Sequence, residues 1–235
     1  MFTVKLAGYT IRVDNRYDFV EKMCKQYIVE TDTVDFTVSV STEDMENEKL
    51  LSPEEFSEGY LESLAIYRHI GEEIGRLGGF IFHSAVIEYK GKAYAFAAKS
   101  GTGKSTHIRL WRRAFGDDVG IVNGDKPIFR FVGDELYAYG TPWCGKEGFH
   151  RNVGVPLGAV CFIERDESNS IEQLPKKEFT RHVFNQVYMP KNGESCISIL
   201  DMLDKMSETV KIYKLKCNMD IQAAYVARDG MVSEE

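Results

Sequence analysis

The sequence is short of proline, with six in 235 residues, and no low-complexity tract interrupts it. Neither an extended linker nor a disordered arm is therefore expected. Internal repeats are absent, which removes solenoids and propellers. No apolar run approaches the roughly 18 residues that a membrane-spanning helix requires, and Met1 to Ala7 does not read as a secretory leader. Positive charge is not in surplus: 29 Lys and Arg against 36 Asp and Glu leave a formal charge of −7. Nucleic acid and anionic membrane are thus not expected partners, although local basic pockets remain open. The five cysteines are odd in number and contain no C-x-x-C pair, so no zinc site or redox dithiol is expected and a reducing cytoplasm is the simplest setting. Cys144, Cys161 and Cys217 sit beside aromatic or β-branched residues, where a thiol serves as a small apolar filler.

What is present suffices for a core: 43% hydrophobic and 12% aromatic residues, at a length that suggests one or two domains. Phe2 to Leu6, Tyr9 to Val13 and the alternating Val34, Phe36, Val38 and Val40 read as strands. With a helix near Tyr17 to Tyr27 they make residues 1–50 a small β-rich segment packed on the main domain, 51–235. Ser41 to Leu50 is polar and acidic, a loop by composition. Ser52, Pro53 and Glu55 form a capping signature that starts a helix running to Leu77. Phe56, Tyr60, Leu64, Tyr67, Ile74 and Leu77 are its apolar stripe, and Gly78-Gly79 its stop.

Beyond it, strands are expected at Phe80 to Tyr89, Ala93 to Ala97, Val119 to Val122, Ile128 to Val132, Leu136 to Tyr139, Val155 to Ile163 and Val210 to Leu215. Helices are expected at Lys104 to Phe115, Lys177 to Tyr188, Ser198 to Met206 and Ile221 to Ala227. The Lys90-Gly91-Lys92 turn implies a hairpin, and the mixture of elements implies an α/β domain on a mixed β-sheet.

Ala98-Lys99-Ser100-Gly101-Thr102-Gly103-Lys104-Ser105 lies between an apolar strand and an amphipathic helix. In that context backbone N–H groups around Gly101 and Gly103 can wrap an anion, Lys104 can bridge β- and γ-phosphates, and Ser105 can ligate Mg²⁺. Ser100, Thr102 and Thr106 complete the candidate nucleotide-binding set. Ala98 stands where this pattern begins with glycine. Twenty-one residues after Lys104, an apolar run ends in Asn123-Gly124-Asp125. Asp125 is either a metal-holding carboxylate at a strand tip or a turn residue. His83, in the strand before the loop, is either structural or part of the transfer pocket. Residues 140–152 form a glycine-rich loop carrying Lys146, His150 and Arg151, which either closes over phosphates or is a surface excursion.

From His83 to about Arg165 the chain resembles the catalytic domain of bacterial HPr kinase/phosphorylase and, more broadly, the phosphoenolpyruvate carboxykinase-like P-loop fold. His83, the run Ser100 to Ser105 and Asp125 carry the resemblance, and Tyr213 to Val226 is similar to the tail of small stand-alone members of the superfamily. It implies transfer of a γ-phosphoryl group from ATP, with Mg²⁺, to a serine hydroxyl, and a role for His83 in the transfer pocket. Two departures stand out. Members of the family carry paired aspartates where this chain has Gly124 and Asp125, and neither their large N-terminal domain nor their HPr-recognising segment has a counterpart, so HPr is not implied as the acceptor.

The expectation is therefore a cytoplasmic kinase using ATP or GTP with Mg²⁺ and acting on a hydroxyl of a peptide, small protein or small molecule. Lys104 and the loop amides bind phosphate, Ser105 and Asp125 hold the metal, Asp125 or His83 serves as base, and Lys146 or Arg151 offsets transition-state charge, with Arg181 and Lys191 next in line. The alternatives are a nucleotide-binding regulatory module that no longer transfers phosphate, and a plain nucleotide hydrolase. The sequence is compatible with an oligomer and does not set the oligomeric state.

Overall fold

The computed structural model describes residues 1–51 and 54–232. The chain opens with β1 (Phe2–Leu6) and β2 (Tyr9–Asp14), whose alternating Phe2, Val4, Leu6, Tyr9, Ile11 and Val13 are buried. Ala7 and Gly8, both at positive φ (51° and 84°), close the hairpin with the twist that antiparallel strands favour. After α1 (Asp18–Met23), β3 (Phe36–Ser39) pairs in parallel with β2 to complete a three-stranded sheet.

Residues 41–50 are not the loop that their composition suggested. They form α2 (Thr42–Leu51), begun by a reciprocal cap: Ser41 N–H and Oγ–H donate to Asp44 Oδ2 at 2.8 and 2.6 Å, and Asp44 N–H donates to Ser41 Oγ at 3.1 Å. α3 (Glu58–Arg76) follows, with Ser57 as its N-cap; Ser52 and Pro53 of the expected capping signature lie outside the described residues. The buried face of α3 runs through Leu61, Ile66, Ile70 and Ile74, with Tyr67 and Ile74 of the expected stripe on it, while Tyr60 and Leu64 are half-buried and Phe56 is exposed before the helix begins. Glu62 on α3 is fully buried and accepts the N–H groups of Arg16 (2.6 Å) and Tyr17 (3.1 Å), which pins the start of α1 to this helix. Gly78, at φ 86°, ends the helical path as expected.

The strand expected over 80–89 is two strands, β4 (Gly79–Ile81) and β5 (Ala85–Tyr89), separated by a bend at Phe82 to Ser84. The reason is pairing: β4 bonds to β8 and β5 to β6 and β7, so the chain changes place in the sheet between them. Then come β6 (Lys92–Ala97), α4 (Lys104–Phe115), β7 (Val119–Asn123), β8 (Ile128–Val132), β9 (Glu135–Tyr139), the long β10 (Gly154–Arg165) and β11 (Ser170–Gln173), a short edge strand that the sequence reading missed. The helix expected over 177–188 is only one turn, α5 (Phe179–Val183), flanked by 3₁₀ turns. α6 (Gly193–Thr209), β12 (Lys211–Cys217) and α7 (Gln222–Met231) end the described chain.

Among the described residues β4 to β12 form one mixed sheet in the order β4-β8-β9-β10-β6-β5-β7, with β12 on β10 and β11 on β12. β10 joins its two parts: its first residues pair with β9, and the rest pair with β6 on one side and β12 on the other. α4 and α7 cover one face, around Trp111, Phe96 and Ala224, while α5 and α6 cover the other, around Phe129, Val160 and Met206. A third cluster packs the N-terminal strands against α3, Ile81, Ile128 and Trp143. Cys24, Cys144, Cys161 and Cys217 are buried thiols. No helix among the described residues is long and apolar enough to cross a membrane.

β5 runs antiparallel to both β6 and β7, and β10 and β12 run parallel to β6. The carboxyl ends of β6, β7, β10 and β12 therefore share one edge of the sheet, the edge at which open α/β sheets bind ligands.

The α2 cap gives the first prediction. Asp44→Ala should cost about 1 kcal/mol and lower the thermal midpoint by about 2–4 °C in a chain of this size. Burial alone would raise the Asp44 pKa, but hydrogen bonds from Ser41 and the nearby His69 hold it below its ordinary 3.8. Its contribution is thus present above pH 3.8 and fades as acid protonates it. Calorimetric midpoints of the two proteins should converge on acidification; equal midpoints at neutral pH would show that the cap does not stabilise α2.

Candidate active site

The segment between β6 and α4 is built by conformation. Gly101 and Gly103 lie at φ 77° and 127°, and a Cβ on either would meet nothing within 4 Å. They are thus required by backbone geometry that L side chains rarely adopt, not by space. Gly103 caps α4 without a side chain, leaving the first N–H groups of the helix to an outside acceptor. Arg165, at the end of β10, donates to the carbonyls of Thr102 (3.0 Å) and Gly101. It holds two carbonyl oxygens of the loop, a role that only the fold reveals.

Lys104, 8% exposed, folds back so that Nζ donates to the Ala98 carbonyl at 3.2 Å and lies 3.1 Å from His83 Nε2. His83 Nε2 in turn lies 3.1 Å from Asp125 Oδ1, and Lys126 Nζ donates to Asp125 Oδ2 at 2.5 Å. The structure therefore brings Lys104, His83 and Asp125 together, and adds Lys126, which the sequence reading did not consider. His83 lies in the bend between β4 and β5, not inside a strand. Asp125 follows β7, two places from β6 in the sheet because β5 lies between them.

Asn123 fixes this end of β7. Fully buried, its Oδ1 accepts the N–H groups of Asp125 (2.8 Å) and Lys126 (2.7 Å), and its Nδ2 donates to the Thr141 carbonyl (2.9 Å). Burial alone would raise the Asp125 pKa. The hydrogen bond from His83 and the Lys126 ammonium outweigh burial and hold the carboxyl well below the usual carboxylate range. Burial is the leading effect on Lys104, lowering its pKa against the pull of Asp125.

The loop 140–152 is no free lid. Trp143 is buried and donates to the Ser63 carbonyl at 3.0 Å, while Gly124 N–H donates to Phe149 O (2.9 Å) and Arg151 N–H to Val122 O (3.1 Å). Its exposed residues are 145–148 at the tip and Asn152 at the end. Lys146 lies in that exposed tip, on the rim of a cleft of about 630 Å³ that also contains Lys104, Ser105, Asp125 and Lys126. Arg151 is not brought to the site. Its guanidinium donates to Glu88 Oε2 (2.7 Å) and the Ile121 carbonyl (2.9 Å), partway along β5 and β7 and back from the ligand edge. Its partners make it a brace of the sheet. Arg181, exposed and 3.6 Å from Glu178, lines a second cleft of about 1000 Å³ together with His83 and Ser100 to Thr102. Lys191 lies elsewhere, where its N–H caps onto Glu72.

No protein-family model matches the sequence, and no curated protein matches it. Among solved structures, the Hpr(Ser) kinase/phosphatase from Coxiella burnetii is similar over 63% of this chain and 88% of that chain, at 8% identity and a TM-score of 0.38. That is a distant likeness of overall structure.

A Cβ on Gly124 would stand 2.6 Å from the Cys144 carbonyl oxygen, a contact between backbones that has no flexible side chain to yield. Gly124→Ala should cost about 1–3 kcal/mol through overpacking and lower the thermal midpoint by several degrees. Hydrogen exchange should quicken at residues 141–150, which pack on this turn. A variant with wild-type midpoint and exchange would show that the close approach of loop and turn does not hold in solution.

Proposed function

We propose that the chain is a nucleotide-dependent kinase that moves the γ-phosphoryl group of a nucleoside triphosphate to a hydroxyl. The observation that carries the reading is the continuous contact of Lys104, His83, Asp125 and Lys126 at the mouth of a glycine-built loop. Two ammonium groups face one carboxylate there, so the site favours a polyanion. The loop is read as a phosphate-binding loop of the HPr kinase type, and a cytoplasmic setting belongs to the same reading.

In this reading Ser100 to Thr106 supply backbone N–H groups and hydroxyls to the phosphates, and Lys104 reaches the β- and γ-phosphates. Ser105 and Asp125 suit Mg²⁺, a hard cation that takes one or two protein oxygens and completes its shell with phosphate and water. When bound, the ion neutralises charge on the transferring group. Lys126 takes the charge-offsetting role for which Arg151 had been the sequence candidate, with exposed Lys146 a second cation on the same cleft. His83 Nε2 has a single hydrogen-bonding role at any moment. With Lys104 drawn to phosphate, Nε2–H donates to Asp125, and Nδ1 is available to take the acceptor hydroxyl proton. The acceptor oxygen bonds to phosphorus as the bond to the β-phosphate oxygen breaks, and the nucleoside diphosphate leaves. Little basicity is required, because the transition state is loose.

The acceptor is a hydroxyl on a peptide, a small protein or a small molecule. Transfer of γ-³²P from ATP with Mg²⁺ to such acceptors tests the reading. Asp125→Asn should lower transfer about a hundredfold or more while ATP affinity changes far less, and Lys104→Ala should abolish turnover. Release of inorganic phosphate without transfer would make the protein a hydrolase, and binding without turnover a regulatory module. Either result overturns the kinase reading.

A further inference from the structure

Three clefts open around the glycine loop, and their contents differ. The cleft of about 1000 Å³ contains His83, and that of about 630 Å³ contains Lys104, Asp125 and Lys126. The third, about 420 Å³, lies between the first turns of α4 and the carboxyl ends of β10 and β12. It shares Gly101 to Gly103 with the loop but contains none of those four reactive side chains. A triphosphate that presents its γ end to the reactive cluster must send its other end away from it. The third cleft is continuous with the loop and within the size range of small-molecule sites.

The lining chemistry is specific. Leu110, Ile163 and Met219 offer apolar contact, with Met219 standing 79% exposed at the rim, a flexible and polarizable side chain suited to a flat ring. Asn218 is already committed: its Oδ1 accepts from Asp220 N–H and Asn169 Nδ2, and its Nδ2 donates to the Glu167 carbonyl. Asp166 is half committed. Its Oδ1 accepts the N–H and Oγ–H of Ser168, both at 3.0 Å, while Oδ2 has Lys216 Nζ 4.0 Å away. Those bonds from Ser168 also lower the Asp166 pKa. His107, 2% exposed, accepts from Trp111 Nε1 at 3.0 Å through Nε2, so its proton sits on Nδ1, a donor that the protein leaves without a partner.

We propose that this cleft binds the nucleoside of the triphosphate, that Asp166 accepts the ribose hydroxyls, and that the base is held by apolar contact without its edge being read. The inference rests on the kinase reading of the loop and adds its nucleotide specificity: ATP and GTP serve alike, and ribose is distinguished from deoxyribose. A carboxylate accepts two hydroxyl donors well, whereas Leu110, Ile163 and Met219 offer the base apolar surface and the unpartnered Nδ1 of His107 is itself buried.

Calorimetry of the full chain with Mg²⁺ and four probes tests it: ATP, GTP, 2′-deoxyATP and inorganic tripolyphosphate. ATP and GTP should bind within about threefold of each other and roughly tenfold or more tighter than tripolyphosphate, a difference near 1.4 kcal/mol. Asp166→Asn and Met219→Ala should each bring ATP towards tripolyphosphate while leaving tripolyphosphate itself unmoved, and Asp166→Asn should erase the preference for ATP over 2′-deoxyATP. Tripolyphosphate binding as tightly as ATP, a preference above about thirtyfold for one base, or variants with an unchanged ratio would overturn the nucleoside site and leave the phosphate loop standing. Failure of all four probes to bind the wild-type protein would overturn both.

Discussion

The side-chain amide of Asn123 is the interaction on which the site depends. Fully buried at the end of β7, it holds the N–H groups of Asp125 and Lys126 with one atom and the Thr141 carbonyl with the other. It thereby sets the turn that aims Asp125 at His83 and the path of the loop that returns across that turn. Without it, two backbone donors and a buried carbonyl lose their partners, at about 1–3 kcal/mol each where no water replaces the bond. Ser84 N–H donating to the Asp125 carbonyl (3.0 Å) then ties the same turn to the bend that carries His83. Two side chains 42 residues apart in sequence meet because one amide is satisfied on both sides.

That meeting has an electrostatic consequence. Asp125 lies between an imidazole and an ammonium group, and both act against the burial that would otherwise favour its neutral form. A carboxyl whose folded pKa is depressed adds stability above its unfolded value and loses it as pH falls, so this corner is stable at neutral pH. Lys104 is bound less firmly. Its contacts are a carbonyl and a ring nitrogen, and burial weakens its charge. Under the proposed kinase reading a phosphate is a better partner than either, and the departure of Lys104 would simplify the hydrogen bonding of His83.

Much of the fold was legible because it follows periodicity. The alternation of β1 and β2, the apolar run of β6, the amphipathic α4 and the glycine stop after α3 are local properties of their own residues. The failures share one cause, which is that the deciding partner lies elsewhere in the chain. Phe80 to Tyr89 reads as one strand because nothing within it shows that β4 and β5 pair with different neighbours. Residues 41–50 read as a loop because acidic composition outweighed a capping box in which the third residue is Asp rather than Glu. In the site, Lys104, His83 and Asp125 were visible as residue types in a suggestive order. Lys126 and Arg165 were not, since one acts through a carboxylate beside it and the other through carbonyls more than sixty residues away. Arg151 misled for the same reason: a cation in a glycine-rich loop looks available until Glu88 is seen to hold it.

Gly124 and Ala98, the two places where the sequence departs from the patterns it resembles, follow from packing. Gly124 lies under the Cys144 carbonyl, and only a hydrogen fits there. A second aspartate could not be added without moving the loop 140–149, whose buried Trp143 reaches the Ser63 carbonyl on α3. The single carboxylate and the closely packed loop are therefore one structural choice. Ala98 is 6% exposed, follows a strand of small and aromatic core residues, and offers its carbonyl to Lys104. Its methyl lies in the core while its carbonyl holds Lys104, so the positive-φ backbone of the loop falls to Gly101 and Gly103. Under the proposed kinase reading, a single carboxylate leaves more of the charge balance to cations, and Lys126, bonded to Asp125 and lining the same cleft as Lys104, is placed to carry it.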